Sequence, residues 1–258
     1  MCLLYVLPTQ ADTTINVAAS LLNFDYEEFD ESGNSFNTEK GIIPGTFIYI
    51  SSSGKSSRLT NSAGVELYGG QVNYDGQTQS GILLTTDTNE TIYRLFYKLD
   101  WSPENYGVSV YGKATWQQWD RDILSNRLTS GLFERYQWWA FELGFSLPLH
   151  KDNKNTWLFE LGASRIRNGT IQINLDRQGF GRPELDLGNG SGFTAAMHYQ
   201  FTMSARSEIG FELRHQRWTF SRSNTKTISN GSILLEITEP RSVSQHSSAS
   251  VTFRYYYF

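Results

Sequence analysis

Apolar and polar side chains alternate along almost the whole chain. In the segment TTINVAASLL (residues 13–22), positions 15, 17, 19 and 21 are apolar, and the even positions between them are polar or small. A period of two places successive side chains on opposite faces of a β-strand and does not fit a helix. No stretch reaches the ~18 consecutive apolar residues that a membrane-spanning helix needs. The sequence therefore predicts an all-β chain, which can cross a membrane only as strands.

Pairs of alternating segments flank short turns and predict antiparallel hairpins. TIYRLFYKLDW and YGVSVYGKATW lie on either side of the turn SPEN, and the same arrangement recurs around residues 148–155 and 204–207. The final segment, SSASVTFRYYYF, alternates in the same way and supplies one more strand. Segments of this kind are typical of neighbouring strands in a meander.

The polar faces of the predicted strands carry charges of both signs. Their charged positions are Glu66, Arg94, Lys98, Asp100, Lys113, Glu142, Glu160, Glu208, Glu212 and Arg214. The opposite faces are bulky and apolar, so a soluble barrel would bury one of the two at a high cost. A barrel with a lumen of paired charges and an exterior facing lipid accommodates both faces. Apolar faces of about 9 to 11 residues also match a tilted membrane strand.

Aromatic residues cluster where such strands would meet the membrane interfaces. One predicted girdle consists of Trp101, Tyr106, Trp157, Tyr255, Tyr257 and Phe258. A second girdle could draw on Trp116, Trp119, Trp138, Trp139 and Trp218. Girdles of this kind flank the apolar band of membrane barrels. The alternative is a soluble β-sandwich whose core is rich in aromatic residues.

Short and long connections alternate along the chain. The short links lie near residues 54–57, 102–105, 148–155 and 204–207, and the long ones at 27–40, 75–90, 119–131, 167–191 and 221–247. Strict alternation is typical of membrane barrels with short periplasmic turns and long outer loops. It predicts a transmembrane antiparallel up-and-down β-barrel of ten strands with both termini on the periplasmic side.

From Asp12 onward the chain resembles a bacterial outer-membrane β-barrel of the size of the ten-stranded omptins and adhesins. The resemblance implies an integral protein of a Gram-negative cell outer membrane, assembled by machinery that recognises a C-terminal aromatic strand such as VTFRYYYF. Residues 1–11, MCLLYVLPTQA, combine an apolar run with a small-residue pattern like that of a signal-peptidase site. We therefore expect a truncated signal peptide at 1–11 and a single barrel domain at 12–258; the alternative is an ordinary buried first strand.

The charge distribution indicates which partners to expect. A formal charge of −4 and an isoelectric point near 5.6 give no basic field for nucleic acid. Guanidinium groups bind phosphate, so lipopolysaccharide is an expected partner of the basic residues in or beside the long loops, unless these only solubilise the protein. These residues are Arg121, Arg127, Arg165, Arg167, Arg177, Arg182, Arg217, Arg222 and Lys226.

An acidic segment occupies the first predicted loop. It contains Asp25, Glu27, Glu28, Asp30 and Glu31. A weak divalent-ion site is conceivable in such an oxygen-rich loop, but an EF-hand register begun at Asp30 lacks its glycine and its bidentate glutamate. We therefore predict a solvated loop, no metal site and no cofactor.

The enzymatic signals are incomplete. Asp120 and Asp122 in WDRDIL resemble one half of the omptin protease site, in which an aspartate pair faces an Asp-x-His pair. None of the four histidines has an aspartate two residues before it. His198 lies on a polar strand face, where it could meet Glu160 or Glu212, and there is no Gly-x-Ser-x-Gly elbow of the lipase type. No catalytic residue is predicted, and Asp120, Asp122 and His198 remain the weak candidates.

The predicted function is a non-enzymatic surface role. Ten strands enclose little space, which disfavours a general porin. We expect an adhesin, a receptor or an envelope-structural protein that contacts an extracellular protein, a glycan or lipopolysaccharide through the loops at 119–131, 167–191 and 221–247. The two alternatives are a surface hydrolase, either an omptin-like protease or a lipid hydrolase, and a narrow solute channel.

Overall fold

The computed structural model describes residues 11–54, 58–77, 81–103, 107–127 and 129–257. Ten long strands dominate it: β1 (Ala11–Phe29), β2 (Ser35–Gly54), β3 (Leu59–Gln77), β4 (Leu83–Trp101), β5 (Ser109–Ile123), β6 (Leu132–Lys151), β7 (Asn155–Asn174), β9 (Gly190–Ser204), β10 (Ser207–Phe220) and β13 (Arg241–Tyr257). A 3₁₀ turn at Asp176–Gln178 precedes the short strand β8 (Glu184–Asp186). The strands β11 (Lys226–Ser229) and β12 (Leu234–Ile237) form a separate hairpin. Among the described residues, no helix has the length and apolarity to cross a membrane.

The ten long strands form a closed antiparallel barrel. Each pairs with its neighbour in the chain, and β1 pairs with β13 from Thr13 opposite Tyr257 to Phe29 opposite Arg241. Each of the ten described long strands therefore pairs on both sides, and the β2–β3 register is interrupted between Lys40 and Gly45. The predicted ten-stranded up-and-down barrel is therefore confirmed. The predicted signal peptide at 1–11 lies almost wholly outside the described residues.

The barrel has two different ends. The terminal end carries the first and last described residues, Ala11 and Tyr257, and the connections at residues 55–58, 102–108, 152–154 and 205–206. The loop end carries the connections at residues 30–34, 78–82, 124–131, 175–189 and 221–240. The two ends alternate along the chain in the predicted order, and the two longest connections, 175–189 and 221–240, lie at the loop end. The loop-end connections at 30–34 and 78–82 are nevertheless shorter than the terminal-end connection at 102–108.

Several predicted loops are much shorter than expected. Residues 27–29 and 35–40 are strand, as are 75–77, 83–90 and 119–123, although the sequence predicted loops there. Asp25, Glu27 and Glu28 of the predicted acidic loop consequently lie in β1. The alternation continues through these segments, but their outward positions are polar, which is why they resembled loops.

The polarity of the inward and outward faces reverses partway along each strand, as β1 illustrates. Near the terminal end Ile15 and Val17 point outward and are exposed, whereas Asn16 points inward and is buried. Near the loop end the polarity is reversed: the outward residue Asn23 is polar, and the inward residue Phe24 is apolar and fully buried. The terminal half therefore has an apolar exterior and a polar lumen, and the loop half has the opposite arrangement.

An aromatic core fills the loop half of the barrel. Its largest members are Phe24, Tyr26, Tyr68, Trp119, Tyr136, Trp138, Trp218 and Phe220. Tyr68 packs against Gly45, where an added Cβ would lie 2.2 Å from the ring. Burying side chains of this size stabilises the fold by roughly 1.5–3 kcal/mol each. The loop half is thus held together like a soluble protein.

Two loop-end connections pack together, and we call them the lid (residues 175–189 and 221–240). Lys226 Nζ donates to the Glu184 carbonyl at 3.2 Å, and the Asp186 amide donates to Asn224 Oδ1 at 3.0 Å. Leu185, Ile228 and Ile237 belong to the buried aromatic core. The lid is therefore continuous with the core beneath it.

Candidate functional site

The lumen of the terminal half is lined by ion pairs. Arg214 contacts Glu66 at 2.9 Å and Glu212 at 2.7 Å, and Arg94 reaches Glu66 at 3.0 Å. These residues come from β3, β4 and β10, whose inward positions the alternation had placed on polar faces. Because each charge has a partner of opposite sign, the cost of removing it from water is largely offset.

A second group of charges lies closer to the terminal end. Lys98 Nζ contacts Glu160 at 2.7 Å and Asp100 at 3.0 Å. His198 lies 3.1 Å from Glu212 and 3.6 Å from Glu160, within reach of both predicted neighbours.

Glu208 pairs with Arg254 at 3.0 Å. Arg254 was not among the lumen residues predicted from the sequence. The alternation of VTFRYYYF contains the signal, because position 254 has the parity opposite to that of Phe253 and Tyr255.

Glu142 and Lys113, the remaining two members of the predicted lumen set, make no ion pair with any described residue. Glu142 accepts hydrogen bonds from the hydroxyls of Tyr111 and Thr194, both at 2.7 Å. Lys113 lies directly opposite Glu142 in the β5–β6 register, but its ammonium lies over the ring of Phe96, 4.9 Å from the centroid. Together, these lumen side chains line a cavity of about 480 Å³ that reaches the terminal end.

A second charged cluster lies inside the loop half and was missed by the sequence analysis. Arg121 contacts Glu134 and Glu39 at 2.7 Å each and Glu28 at 3.2 Å. Its side chain is 1% exposed, so the predicted role of Arg121 as a loop residue that binds phosphate is wrong. The alternation of β5 gives the reason, because position 121 has the same parity as the inward residue Trp119.

Two more buried carboxyls border the same cluster. Glu239, in the lid, accepts a hydrogen bond from the Tyr136 hydroxyl at 2.7 Å and one from Tyr26 at 3.3 Å. Glu90 accepts a hydrogen bond from Trp119 Nε1. Burial, reinforced by the nearby carboxyls of Glu28 and Glu134, raises the pKa of Glu239 well above its ordinary value. The described residues contain no group of three or more potential ligands that could hold a metal ion.

The weak catalytic candidates are not brought together. Asp120 points outward and accepts two hydrogen bonds from Arg135, at 2.8 and 2.9 Å. Asp122 is exposed on the same outer face, whereas His198 points into the lumen. An aspartate pair and a histidine on opposite sides of the wall cannot activate one water molecule.

The aromatic positions separate into two groups. Trp101, Trp157, Tyr255 and Tyr257 point outward and are exposed near the terminal end, and Tyr106 and Phe258 lie outside the described residues. Trp116 and Trp139 also point outward. The assignment of Trp119, Trp138 and Trp218 to a second girdle is wrong, because all three are buried in the core.

The outer surface near the loop end carries unpaired basic groups and exposed apolar side chains. Arg165, Arg167 and Arg217 point outward and make no ion pair with any described residue. Arg182 pairs with Asp176, and Arg222 pairs with Glu31. Apolar side chains are exposed at two of the connections, namely Ile82, Leu83, Ile233, Leu234 and Leu235.

Comparisons with known proteins identify the fold. No protein-family model and no curated protein matches the sequence. The outer-membrane protease OmpT from Escherichia coli superposes with a TM-score of 0.58 at 9% identity, over 97% of both chains. The NalP translocator domain from Neisseria meningitidis gives a TM-score of 0.49 at 9% identity over 93% of this chain and 88% of its own. OprG from Pseudomonas aeruginosa gives 0.37 at 8% identity, over 96% and 97% respectively.

At these identities the similarity concerns the fold alone, and the OmpT superposition carries it. The chain has the fold of a bacterial outer-membrane β-barrel, with no specific family identified. OmpT's proteolytic activity is not transferred by this likeness, since one fold hosts many functions.

Proposed function

We propose that this protein is an integral outer-membrane β-barrel with a non-enzymatic binding role, and that its loop end faces the outside of the cell. Both termini then face the periplasm, and the barrel-assembly machinery handles the aromatic last strand. The observation that carries the binding role is the set of exposed apolar side chains at the loop end, beyond the part of the wall that lipid would cover.

The apolar exterior of the terminal half supports the membrane-spanning role. On β4 every outward side chain from Tyr93 to Trp101 is apolar or aromatic, which is about the nine residues that a tilted membrane strand needs. Beyond this belt the outward residues Asn89 and Asp87 are polar. The boundary between the two regions marks the edge of the proposed bilayer.

The loop end supports the binding role. Leu83, the first residue of β4, is 78% exposed, and Leu234 is 75% exposed in the lid. Neither position lies next to the apolar belt, so lipid does not account for its exposure. Apolar side chains that remain exposed on an otherwise polar surface are typical of sites that contact a partner.

The three unpaired arginines support contact with lipopolysaccharide. In the strand register Arg217 lies opposite Phe193, Arg167 opposite Trp139 and Arg165 opposite Phe141. Each guanidinium is thus beside an aromatic residue at the loop-side edge of the belt, where the phosphates of outer-leaflet lipid would lie. Guanidinium groups bind phosphate through paired hydrogen bonds.

Nothing in the described geometry favours the two alternatives. An omptin-like protease needs its aspartates and its histidine on one surface, but Asp120 and His198 lie on opposite sides of the wall. A solute channel needs a continuous path, but aromatic side chains fill the loop half of the barrel.

Adhesion assays test the binding role. A non-adherent host strain that expresses the protein is applied to surfaces coated with extracellular-matrix proteins, glycans or lipopolysaccharide. We expect binding to at least one surface and its loss in the L234S/L235S variant. The matched control, L149S, removes an exposed apolar side chain at the terminal end and should bind normally. Adhesion equal to that of the empty vector, or unchanged in L234S/L235S, would rule out the proposal.

Cysteine labelling tests the orientation. In a C2S background, L234C places a thiol in the lid and A205C places one in the turn between β9 and β10. A membrane-impermeant maleimide should label L234C on intact cells and A205C only after the outer membrane is permeabilised. The reverse pattern would show that the loop end faces the periplasm.

A further inference from the structure

Among the described residues that line the cavity in the terminal half, one cation has no ion-pair partner. Lys98, Arg214, Arg254 and His198 all line it, and each forms an ion pair with a carboxylate. Lys113 also lines it, but makes neither an ion pair nor a hydrogen bond with any described residue. A partly buried ammonium without a counter-charge has an unfavourable environment that an incoming anion would relieve.

Except for the exposed Asp12, the described carboxylates that line the cavity are already engaged. Glu66 and Glu212 pair with Arg214, and Glu160 pairs with Lys98. Glu142, the nearest acid in the strand register, has both oxygens occupied by hydroxyl donors. The charge of Lys113 is therefore the one that remains available to a ligand among the described lining residues.

Aromatic rings define the second feature of the cavity. Phe96, over which Lys113 lies, is 6.2 Å from Tyr49, and Tyr49 is 6.1 Å from Phe47, measured between ring centroids. All three rings line the cavity. A volume of about 480 Å³ is in the range of small-molecule sites. An anionic head and a flat apolar body fit these two features together.

We propose that the lumen binds a small aromatic carboxylate, which enters from the terminal end. The carboxylate pairs with the Lys113 ammonium, and the ring packs against Phe96, Tyr49 and Phe47. This site lies at the opposite end of the barrel from the surface assigned to adhesion, so the two can be tested separately.

Benzoate is the probe for the first experiment. The full chain, refolded in detergent micelles, is titrated with benzoate and with benzyl alcohol, its neutral counterpart, by calorimetry at neutral pH and low salt. We expect saturable benzoate binding, and at least ~10-fold weaker binding of benzyl alcohol, because the neutral alcohol cannot form a charge-assisted hydrogen bond with the ammonium. Absence of saturable benzoate binding, or equal binding of the two probes, would overturn the proposal.

Two variants locate the site. K113M should lower the benzoate affinity by at least ~10-fold, whereas K40M, which removes an exposed cation from the outer face, should leave it unchanged. Because Lys113 has no carboxylate partner to leave unpaired, K113M should fold, which is checked by comparing its gel mobility with and without heating against that of the wild type. F96L is the second variant, which keeps the charge and removes the ring; it should also weaken benzoate binding. Wild-type affinity in both K113M and F96L would contradict the assignment.

Discussion

Arg121 of β5 donates a hydrogen bond to Glu134 of β6 at 2.7 Å in the interior of the loop half. The same guanidinium contacts Glu28 on β1 and Glu39 on β2, so a single side chain connects four strands of the wall. It also lies over the ring of Tyr26, 4.7 Å from the centroid. This cluster replaces part of the apolar core with a network that depends on one positive charge.

Removing that charge should destabilise the barrel strongly. R121M leaves the three carboxylates buried without their cation, and loss of one partner from a buried ion pair costs about 3–5 kcal/mol. Urea unfolding in detergent micelles measures the change. R135M is the matched control, because its pair with Asp120 is on the outer face and should contribute about 1 kcal/mol or less. Equal destabilisation by the two variants would contradict the importance of the buried cluster.

The contribution of Glu239, in the lid, to the free energy of unfolding should fall as the pH rises. The groups around Glu239 are Glu28, Glu134, Arg121, Tyr136 and Tyr26. Its pKa in the folded protein lies well above the ordinary value of 4.5. Between pH 4.5 and the folded-state pKa, the folded protein therefore holds a proton that the unfolded chain releases. The contribution of this proton is fully present below pH 4.5 and is lost as the pH rises toward the folded-state pKa.

Urea unfolding between about pH 5 and about pH 8 measures this dependence. We expect the free energy of unfolding to fall across this window in the wild type, and to fall less in E239Q, whose amide cannot ionise. A wild-type curve that rises with pH, or one that E239Q leaves unchanged, would show that Glu239 is ionised in the folded protein.

A glycine in the wall should be essential where it faces the core. G45A places a Cβ 2.2 Å from the ring of Tyr68, which must shift and disturb the packing at a cost of roughly 1–3 kcal/mol. G69A is the control, because its nearest neighbour lies at 3.8 Å. Thermal unfolding compares the two variants. If G45A is as stable as G69A, Tyr68 does not pack against the wall in this position.

The outward arginines should bind lipid phosphate. The triple variant R165A/R167A/R217A removes the unpaired guanidinium groups beside Phe193 and Trp139. We expect it to retain less lipopolysaccharide during purification than the wild type, and to lose most of the rise in thermal stability that added lipopolysaccharide produces. Arg182, which is paired with Asp176 in the lid, gives the control variant R182A. Equal lipid retention by both variants would leave the arginines as solubilising charge.

The sequence predicted the barrel because alternation is a local property. The outward face of β1 up to Leu21 and the inward charges Glu66, Lys98 and Glu160 follow directly from a period of two. Strand number followed from the order of short and long links. Neither conclusion required knowledge of which strands are neighbours in space.

The strand segments of the loop half were not predicted, because their apolar side chains point inward and their polar ones outward, which is the reverse of the terminal half. Leu22, Phe24 and Tyr26 point inward, and their polar neighbours point outward. The prediction assumed that strands carry apolar residues outside and charges inside, so it assigned these segments to loops. The same error placed Trp119 in a girdle and Arg121 in solvent. Which strands contribute to the Arg121 cluster depends on the closure of β1 against β13, a long-range contact that periodicity does not contain.

Fluorescence quenching locates the change of polarity along the outward face of β1 relative to the membrane. In a C2S background, V17C and N23C place a fluorophore on the same outward face, on either side of the proposed membrane edge. In refolded proteoliposomes, a lipid-attached nitroxide should quench the label at 17 more than the one at 23, and aqueous iodide should do the opposite. If iodide reaches both labels equally, the apolar belt is not embedded in lipid and the membrane-spanning account is wrong.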